Sequence, residues 1–475
     1  MATNTPENAT ALIGPPDSPE SPAASGPTAW SIDGRSFALR ARAEDGWRPG
    51  DYLTISVAGG EAQLSLLESI EVGQTELVSG SGSLLSSAGG LDEPFPPSAV
   101  GRSSAADVSA WFAEMGATLT VGTLATAPAA PWSLIPRKLN RHTFWCGQSG
   151  SGKTYALGVA LEQILVHTGL PILILDPNSD FVRLNDPNSR SDPAEADAIR
   201  ARDIRVLRPG TGPGSLRIRF RTMAGPAKAA VLRLDPVVDR AEYNAMVHLA
   251  PDTVPHDPVG LVEYLRSTQD PGFTALAERM ENLGIVTWQI FAGDLAAATD
   301  VVAERPDATV IDLGGLNDQE QQLAVSLAIL DDLWQRRAER RPVLIVIDEA
   351  HNLCSPDLES VAGRAVRDRV IQIAAEGRKY GLWLLLSTQR PGKVHRGIVS
   401  QCDNLTLMRM NSPNDLAELS DVFGFVPPAM LNQASRFRQG EALLAGGFVP
   451  TPGIIRVRDR ITTEGGIDVS VPTRD

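Results

Sequence analysis

Apolar positions follow two regimes along the chain. From Trp30 to about Val72 they alternate with polar ones, Phe37, Leu39 and Ala41 in one run and Leu53, Ile55 and Val57 in the next, with Pro49-Gly50-Asp51 and Gly59-Gly60 as turns. A period of two predicts strands buried on one face, so this part reads as a small β-barrel or β-sandwich. Ser, Gly and Pro dominate from Ser79 to Ala106, which leaves little to bury and predicts a linker or a long loop. Ala117 to Leu124 is a further strand, expected to complete the β unit by about residue 130.

From about Arg137 the pattern changes to continuous apolar runs: His142 to Cys146, Ile172 to Leu175, Ala308 to Ile311, Val343 to Ile347, Leu382 to Ser387 and Leu405 to Met408. Such runs predict strands buried on both faces, as in a parallel sheet. Helical spacing separates them, in Leu157, Leu161, Ile164 and Leu165, and again in Leu323, Leu327, Leu330 and Trp334. Between about residues 236 and 290 strand signal is scarce, while Arg240 to Leu249, Gly260 to Arg266 and Phe273 to Leu283 have helical spacing. The expectation is an α/β core over 131–460 carrying a helical insertion, with tails at 1–28 and 461–475.

Composition narrows this. The 475 residues, 43% hydrophobic, exceed one ordinary core and point to two or three domains. A net charge of -14 excludes a protein that coats DNA through a broadly basic surface, so any DNA contact must be local, such as a pore lining. Cys146, Cys354 and Cys402 are too scattered for a disulfide framework or a zinc site, which fits a reducing cytoplasm. The Pro- and Ser-rich start lacks the pattern of a signal peptide and reads as disordered, and no apolar run approaches the roughly 20 residues of a membrane span.

The chemistry centres on Gly147-Gln148-Ser149-Gly150-Ser151-Gly152-Lys153-Thr154, a full G-x-x-x-x-G-K-[ST] phosphate loop between a strand and a helix. Its backbone N–H groups and the helix N-terminus favour phosphate, Lys153 neutralises the β and γ oxygens of ATP, and the Thr154 hydroxyl ligates Mg2+. Val343 to Ile347 ends in Asp348-Glu349, where Asp348 would hold the magnesium and Glu349 would polarise the attacking water. Gln389, after the strand Leu382 to Leu386, reads either as a γ-phosphate sensor or as an ordinary loop amide. Arg378, between Gly377 and Gly381, reads as an arginine finger or as a solvated surface charge. His351 is expected to support the acids rather than to ligate a metal. Lys393, Arg396, Arg364, Arg367 and Arg369 are weak candidates for DNA contact, because a helix over Val361 to Ala375 would leave its arginines solvated.

In order and spacing, these segments resemble the HerA branch of the FtsK/HerA superfamily of hexameric DNA-pumping ATPases. The resemblance rests on Leu139-Asn-Arg-His142, Leu173-Ile-Leu-Asp176-Pro177, Ile347-Asp-Glu-Ala-His351, Glu376-Gly-Arg-Lys-Tyr-Gly381, Ser387-Thr-Gln-Arg-Pro391 and Ser400-Gln-Cys402. It implies a RecA-like core behind an N-terminal β-barrel, with Arg48 to Ile55 in the barrel. It also implies that Arg378 reaches a neighbouring subunit as a finger, that Arg141 serves the nucleotide site or its interface, and that Gln389 is the sensor. Final strands within Phe437 to Arg460 would brace neighbouring subunits, although a plain edge strand fits the pattern equally. The chain departs from the family in its Gln-Ser-Gly phosphate loop, in Asp176-Pro-Asn-Ser-Asp180, and in the Gly/Ser/Pro stretch that interrupts the barrel.

The function expected from this is an ATP-hydrolysing, hexameric helicase or translocase that threads double-stranded DNA through its pore. It would work with a nuclease or a sirtuin-like antiviral effector supplied in trans, in DNA end processing or phage defence. The alternative is a nucleotide-gated ring scaffold that assembles and activates an effector without pumping DNA. A conjugative coupling protein ranks lower because no membrane segment is encoded.

Overall fold

The computed structural model describes residues 26–466, except 74–75, 86–92, 213, 250–254, 256 and 294. Most of the tail expected over 1–28 lies outside the described residues, as does the C-terminal tail beyond residue 466. Among the described residues no helix is long and apolar enough to cross a membrane.

Six antiparallel strands, β1 (Thr28–Ser31), β2 (Ser36–Arg42), β3 (Tyr52–Ser56), β4 (Ala62–Val72), β5 (Leu77–Leu84) and β6 (Phe95–Arg102), close a barrel in the order β1-β2-β5-β4-β3-β6. The alternating residues anticipated its interior, where Phe37, Leu39, Ala41, Leu53 and Ile55 pack with Leu67, Val78, Phe95 and Val100. The expected loop over Ser79 to Ala106 is corrected, because β5 and β6 occupy half of it.

The next two strands, β7 (Leu119–Leu124) and β8 (Pro131–Leu134), do not complete the barrel as expected but join the main sheet. That sheet continues with β9 (His142–Cys146), β10 (Ile172–Asp176), β11 (Ile204–Leu207), β12 (Ala308–Asp312), β13 (Val343–Ile347), β14 (Leu382–Thr388), β15 (Cys402–Met408), β16 (Glu441–Gly446) and β17 (Gly453–Val457). Its order is β11-β12-β10-β13-β14-β9-β15-β16-β17-β7-β8, parallel from β11 to β15 and antiparallel from there to β8. The apolar runs were legible because β9, β10, β12 and β13 are buried at every position. β17 lies between β16 and β7, so the edge-strand reading of the C-terminal run does not hold.

The helix Lys153–His167 follows β9, and the helix Gln319–Gln335 packs against Val361–Glu376. The insertion forms helices Arg240–His248, Pro258–Ser267 and Pro271–Asn282. Asp257 and Asp270 cap the last two through their side chains, each followed by a proline whose missing N–H costs nothing at a first helical position. Tyr52 and Leu66 of the barrel belong to the core of the large domain. The Tyr52 ring stands 6.3 Å from Phe112 and 6.4 Å from Trp132, which are themselves 4.7 Å apart, edge to face.

Candidate functional site

Parallel strands deliver their following loops to one edge of the sheet, and β9, β13 and β14 therefore bring three loops together. After β9 the chain turns through Gly150 (φ 71°) and Gly152 (φ 91°), and the helix opens at Lys153. An L side chain at position 152 would be strained in that left-handed conformation, which is why the motif needs glycine there.

Lys153 is buried and reaches the end of β13. Its Nζ donates to Asp348 Oδ1 at 2.9 Å and to Ser387 Oγ at 2.8 Å, and lies 3.2 Å from Glu349 Oε1. Burial alone would lower the lysine pKa, but the two carboxylates outweigh it and hold the ammonium charged. Glu349 takes φ 42°, rare for a non-glycine residue and characteristic of functional turns. Burial works to raise its carboxyl, but hydrogen bonds from His351 and Lys153, the Lys153 charge and the Gln389 amide prevail and hold it at about 2. The Gln389 side chain donates from Nε2 to Glu349 Oε1 at 2.8 Å, and its backbone N–H donates to Oε2 at 3.3 Å. His351 Nδ1 stands 3.2 Å from Glu349 Oε2.

Asp348 is fully buried, and its second oxygen, Oδ2, has no hydrogen-bond partner. A buried carboxylate oxygen without a donor is costly unless a cation completes it, so the residues fit a magnesium ion beside Thr154 at the helix start.

Arg378 and Arg141 lie elsewhere. Arg141 precedes β9 and Arg378 precedes β14, so both sit at the N-terminal ends of strands whose C-terminal ends carry the phosphate loop and Gln389. Both face Asp403: Arg378 Nη1 donates to its Oδ2 at 2.6 Å, and Arg141 Nε lies 3.7 Å from the same atom.

A family model for the central domain of helicase HerA matches residues 119–250. The DNA double-strand break repair helicase HerA of Pyrococcus furiosus is 21% identical over 389 residues, covering 71% of this chain and 69% of that protein. These matches support a HerA-like P-loop ATPase of the FtsK/HerA superfamily. The HerA of Sulfurisphaera tokodaii is 30% identical over 160 residues, or 31% of each protein. This HerA-like chain spans about a third or less (23 to 33%) of the length of the other curated relatives it matches. The solved structure of VirB4 from Thermoanaerobacter pseudethanolicus aligns with a TM-score of 0.50 at 16% identity, over 72% of this chain and 96% of that one, and shares its fold.

The HerA-like core thus gathers Lys153, Asp348, Glu349 and Gln389 at one edge and sets Arg141 and Arg378 at the other. Three neighbours of the site escaped sequence reasoning. Ser387 accepts from Lys153, the Arg409 guanidinium donates to Gly150 O at 3.2 Å, and Asp180 approaches Asp348. Only Asp180 left a signal, as the odd acid of Asp176-Pro-Asn-Ser-Asp180. The expected solvated arginine face is also corrected. Arg369 is bound to the buried Asp331 and lies 5.7 Å from the Trp334 ring, because the Gln319–Gln335 helix packs on that side. Arg364 donates to Glu359 O, Arg367 pairs with Asp368, Lys393 with Asp357, and Arg396 with Asp421.

Proposed function

We propose that this chain hydrolyses ATP with Mg2+ to drive double-stranded DNA through a ring of identical subunits, as a translocase of helicase type. The observation that supports this best is the convergence of Lys153, Asp348, Glu349 and Gln389 at one edge of the sheet. Lys153 is satisfied by the two acids. When triphosphate enters the loop Gly147 to Thr154, its oxygens draw Lys153 away, and Glu349 is left with Gln389 and His351 to orient it toward the attacking water. Thr154 and Asp348 would hold magnesium, which would supply charge neutralisation on the phosphates. Gln389, bonded to Glu349, registers whether the γ-phosphate is present.

Arg378 completes the site of the next subunit, with Arg141 beside it, which makes a closed ring, a hexamer by family likeness, the functional unit. The curated relatives are named helicases, and two of those reported above are named for double-strand break repair. By the same likeness a nuclease, or an antiviral effector such as a sirtuin-like enzyme, acts with the ring in end processing or phage defence. The test is subunit mixing. Glu349→Gln and Arg378→Ala rings each lose ATP turnover, and mixed rings regain a measurable share, because some interfaces carry both an intact acid and an intact finger. Mixed rings, verified by native mass spectrometry, that stay inactive refute the shared site.

A further inference from the structure

Strands β10, β12, β13 and β14 start side by side, and their N-terminal ends frame a cleft at the edge of the sheet opposite the phosphate loop. The turns that lead into β12 and β13 each pass through a left-handed residue other than glycine, Arg305 (φ 60°) and Arg340 (φ 51°). Such backbone is strained for a residue with a Cβ and persists only where its surroundings impose it. Here the two turns clasp each other. Arg305 Nη2 donates to Pro342 O at 2.8 Å, and Arg341 Nη2 donates to Ala303 O at 3.3 Å. The cleft beside this clasp, about 580 Å³ with its open mouth, takes apolar walls from Val302, Leu333, Leu382 and Tyr380.

The rim carries four arginines, Arg305, Arg336, Arg337 and Arg341, against two acids, Asp332 and Glu339, a surplus of two positive charges in a chain whose net charge is -14. Glu339 is shared, 3.0 Å from Arg336 Nε and 3.6 Å from Arg341 Nη1, and Asp332 lies 3.8 Å from Arg336 Nη1. Arg337 lies 4.5 Å over the Trp334 ring and donates to Trp334 O at 2.8 Å. Among the described residues no carboxylate pairs with Arg305, and burial, followed by the Arg341 charge, pushes its pKa down. The bonds to Pro342 O and Ala303 O occupy N–H groups but neutralise no charge. A phosphomonoester carries about -1.5 to -2 at pH 7 and three acceptor oxygens, which matches both the surplus and the forked guanidinium donors. The apolar walls suit a flat or apolar body attached to that phosphate.

We propose that this cleft binds an organic phosphate, a phosphomonoester dianion on a flat or apolar body. Arg305 and Arg341 hold the phosphate, and Val302, Leu333, Leu382 and Tyr380 enclose the body. The site stands apart from the nucleotide chemistry, with the length of the strands between the two. Tyr380 ends the turn Gly377–Tyr380 that carries Arg378, so an occupant lies against the segment whose arginine is assigned above to the neighbouring subunit.

The test is titration of the nucleotide-free full-length chain with naphthyl phosphate, with binding followed by the probe's fluorescence anisotropy. One probe molecule per subunit is expected to bind. Naphthol, which lacks the anion, is expected to bind at least about tenfold more weakly. Arg305→Gln is expected to weaken the probe by about tenfold or more, as loss of a hydrogen bond to a charged group commonly does. Lys153→Ala, which disables the phosphate loop, is expected to leave the probe's affinity unchanged, so the result stands even if the chain hydrolyses nothing. Thermal unfolding checks that each variant is folded, and Arg341→Gln replaces Arg305→Gln if the latter is not. No probe bound below about 1 mM in the wild-type chain, naphthol bound as tightly as its phosphate, equal affinity in the folded arginine variant, or loss of the probe in folded Lys153→Ala overturns the proposal.

Discussion

Glu162 lies in the helix that starts at Lys153, and its carboxylate anchors the chain's C-terminal segment to that helix. It accepts the N–H groups of Ile461 and Thr462, both at 2.8 Å, the Thr462 hydroxyl at 2.5 Å, and Arg460 Nε at 3.3 Å. Both ionic side chains are about 1% exposed. Neither Nη1 nor Nη2 of Arg460 has a hydrogen-bond partner, and its guanidinium lies 5.7 Å from the Phe181 ring. Glu162→Ala would leave two backbone N–H groups and a hydroxyl without their acceptor, and would leave the buried guanidinium only Thr462 Oγ1 at 3.1 Å and the half-exposed Glu464 at 4.0 Å. Breaking a buried pair from one side costs about 3–5 kcal/mol, and the upper end applies because three further donors are orphaned. Glu162→Gln keeps an acceptor but loses the charge, and should cost about half as much. Urea unfolding followed by tryptophan fluorescence reads the global cost, and hydrogen exchange over 458–466 reads release of the segment alone, the cheaper of the two routes. A Glu162→Ala chain within about 1 kcal/mol of wild type, with exchange over 458–466 unchanged, would refute the anchor.

Two further outcomes follow from the opposite edge of the sheet. His142 Nδ1 accepts the Leu384 N–H at 2.9 Å and Nε2 lies 3.1 Å from Ala374 O, so its backbone partners demand the neutral ring with the proton on Nε2. Burial, and then the Arg378 charge, push its pKa down from 6.5 to about 4. A depressed folded pKa means the unfolded chain takes the proton first, so this stability is present above about pH 6.5 and is lost as pH falls toward 4. Urea midpoints should fall between pH 7 and pH 5 in the wild type and fall less in His142→Asn. Asp403→Asn should change ATP turnover by no more than about fivefold, because its partly exposed pair with Arg378 is worth at most about 1 kcal/mol. Arg378→Ala, in contrast, should cost on the order of a thousandfold in steady-state turnover.

What the sequence revealed and what it hid divide along a physical line. The phosphate loop and Asp348-Glu349 were legible because each is contiguous and ends a strand buried on both faces, where an apolar run stops abruptly at polar residues. Strand β5, Leu-Val-Ser-Gly-Ser-Gly-Ser-Leu, was misread as loop because its small residues answer to partners far away. A Cβ at Gly82 would stand 1.9 Å from Leu66 O and 2.7 Å from the Phe37 ring, so the barrel requires glycine where propensity would call for a β-branched residue. Likewise β7 reads as a generic strand, and only its pairing with β17, Leu124 beside Ile455, decides that it belongs to the large sheet. Arg369 followed the helical period of a solvated face, but a neighbouring helix covers that face and supplies Asp331.

The same parallel sheet that assembles the acids also limits what one subunit can do with its arginines. β9 and β14 each carry a phosphate-site loop at the C-terminal end and an arginine at the N-terminal end, and both strands lie side by side in register. A five-residue strand spans about 16 Å, more than twice the reach of an extended arginine side chain of about 7 Å. Both ends are fixed by burial of the strand between them, so flexing a loop cannot close the gap. Arg378 therefore cannot touch a phosphate held by its own Lys153, and any phosphate it meets must be presented by another molecule. Asp403, bound to Arg378 and adjacent to Arg141, holds both guanidinium groups at that outer edge.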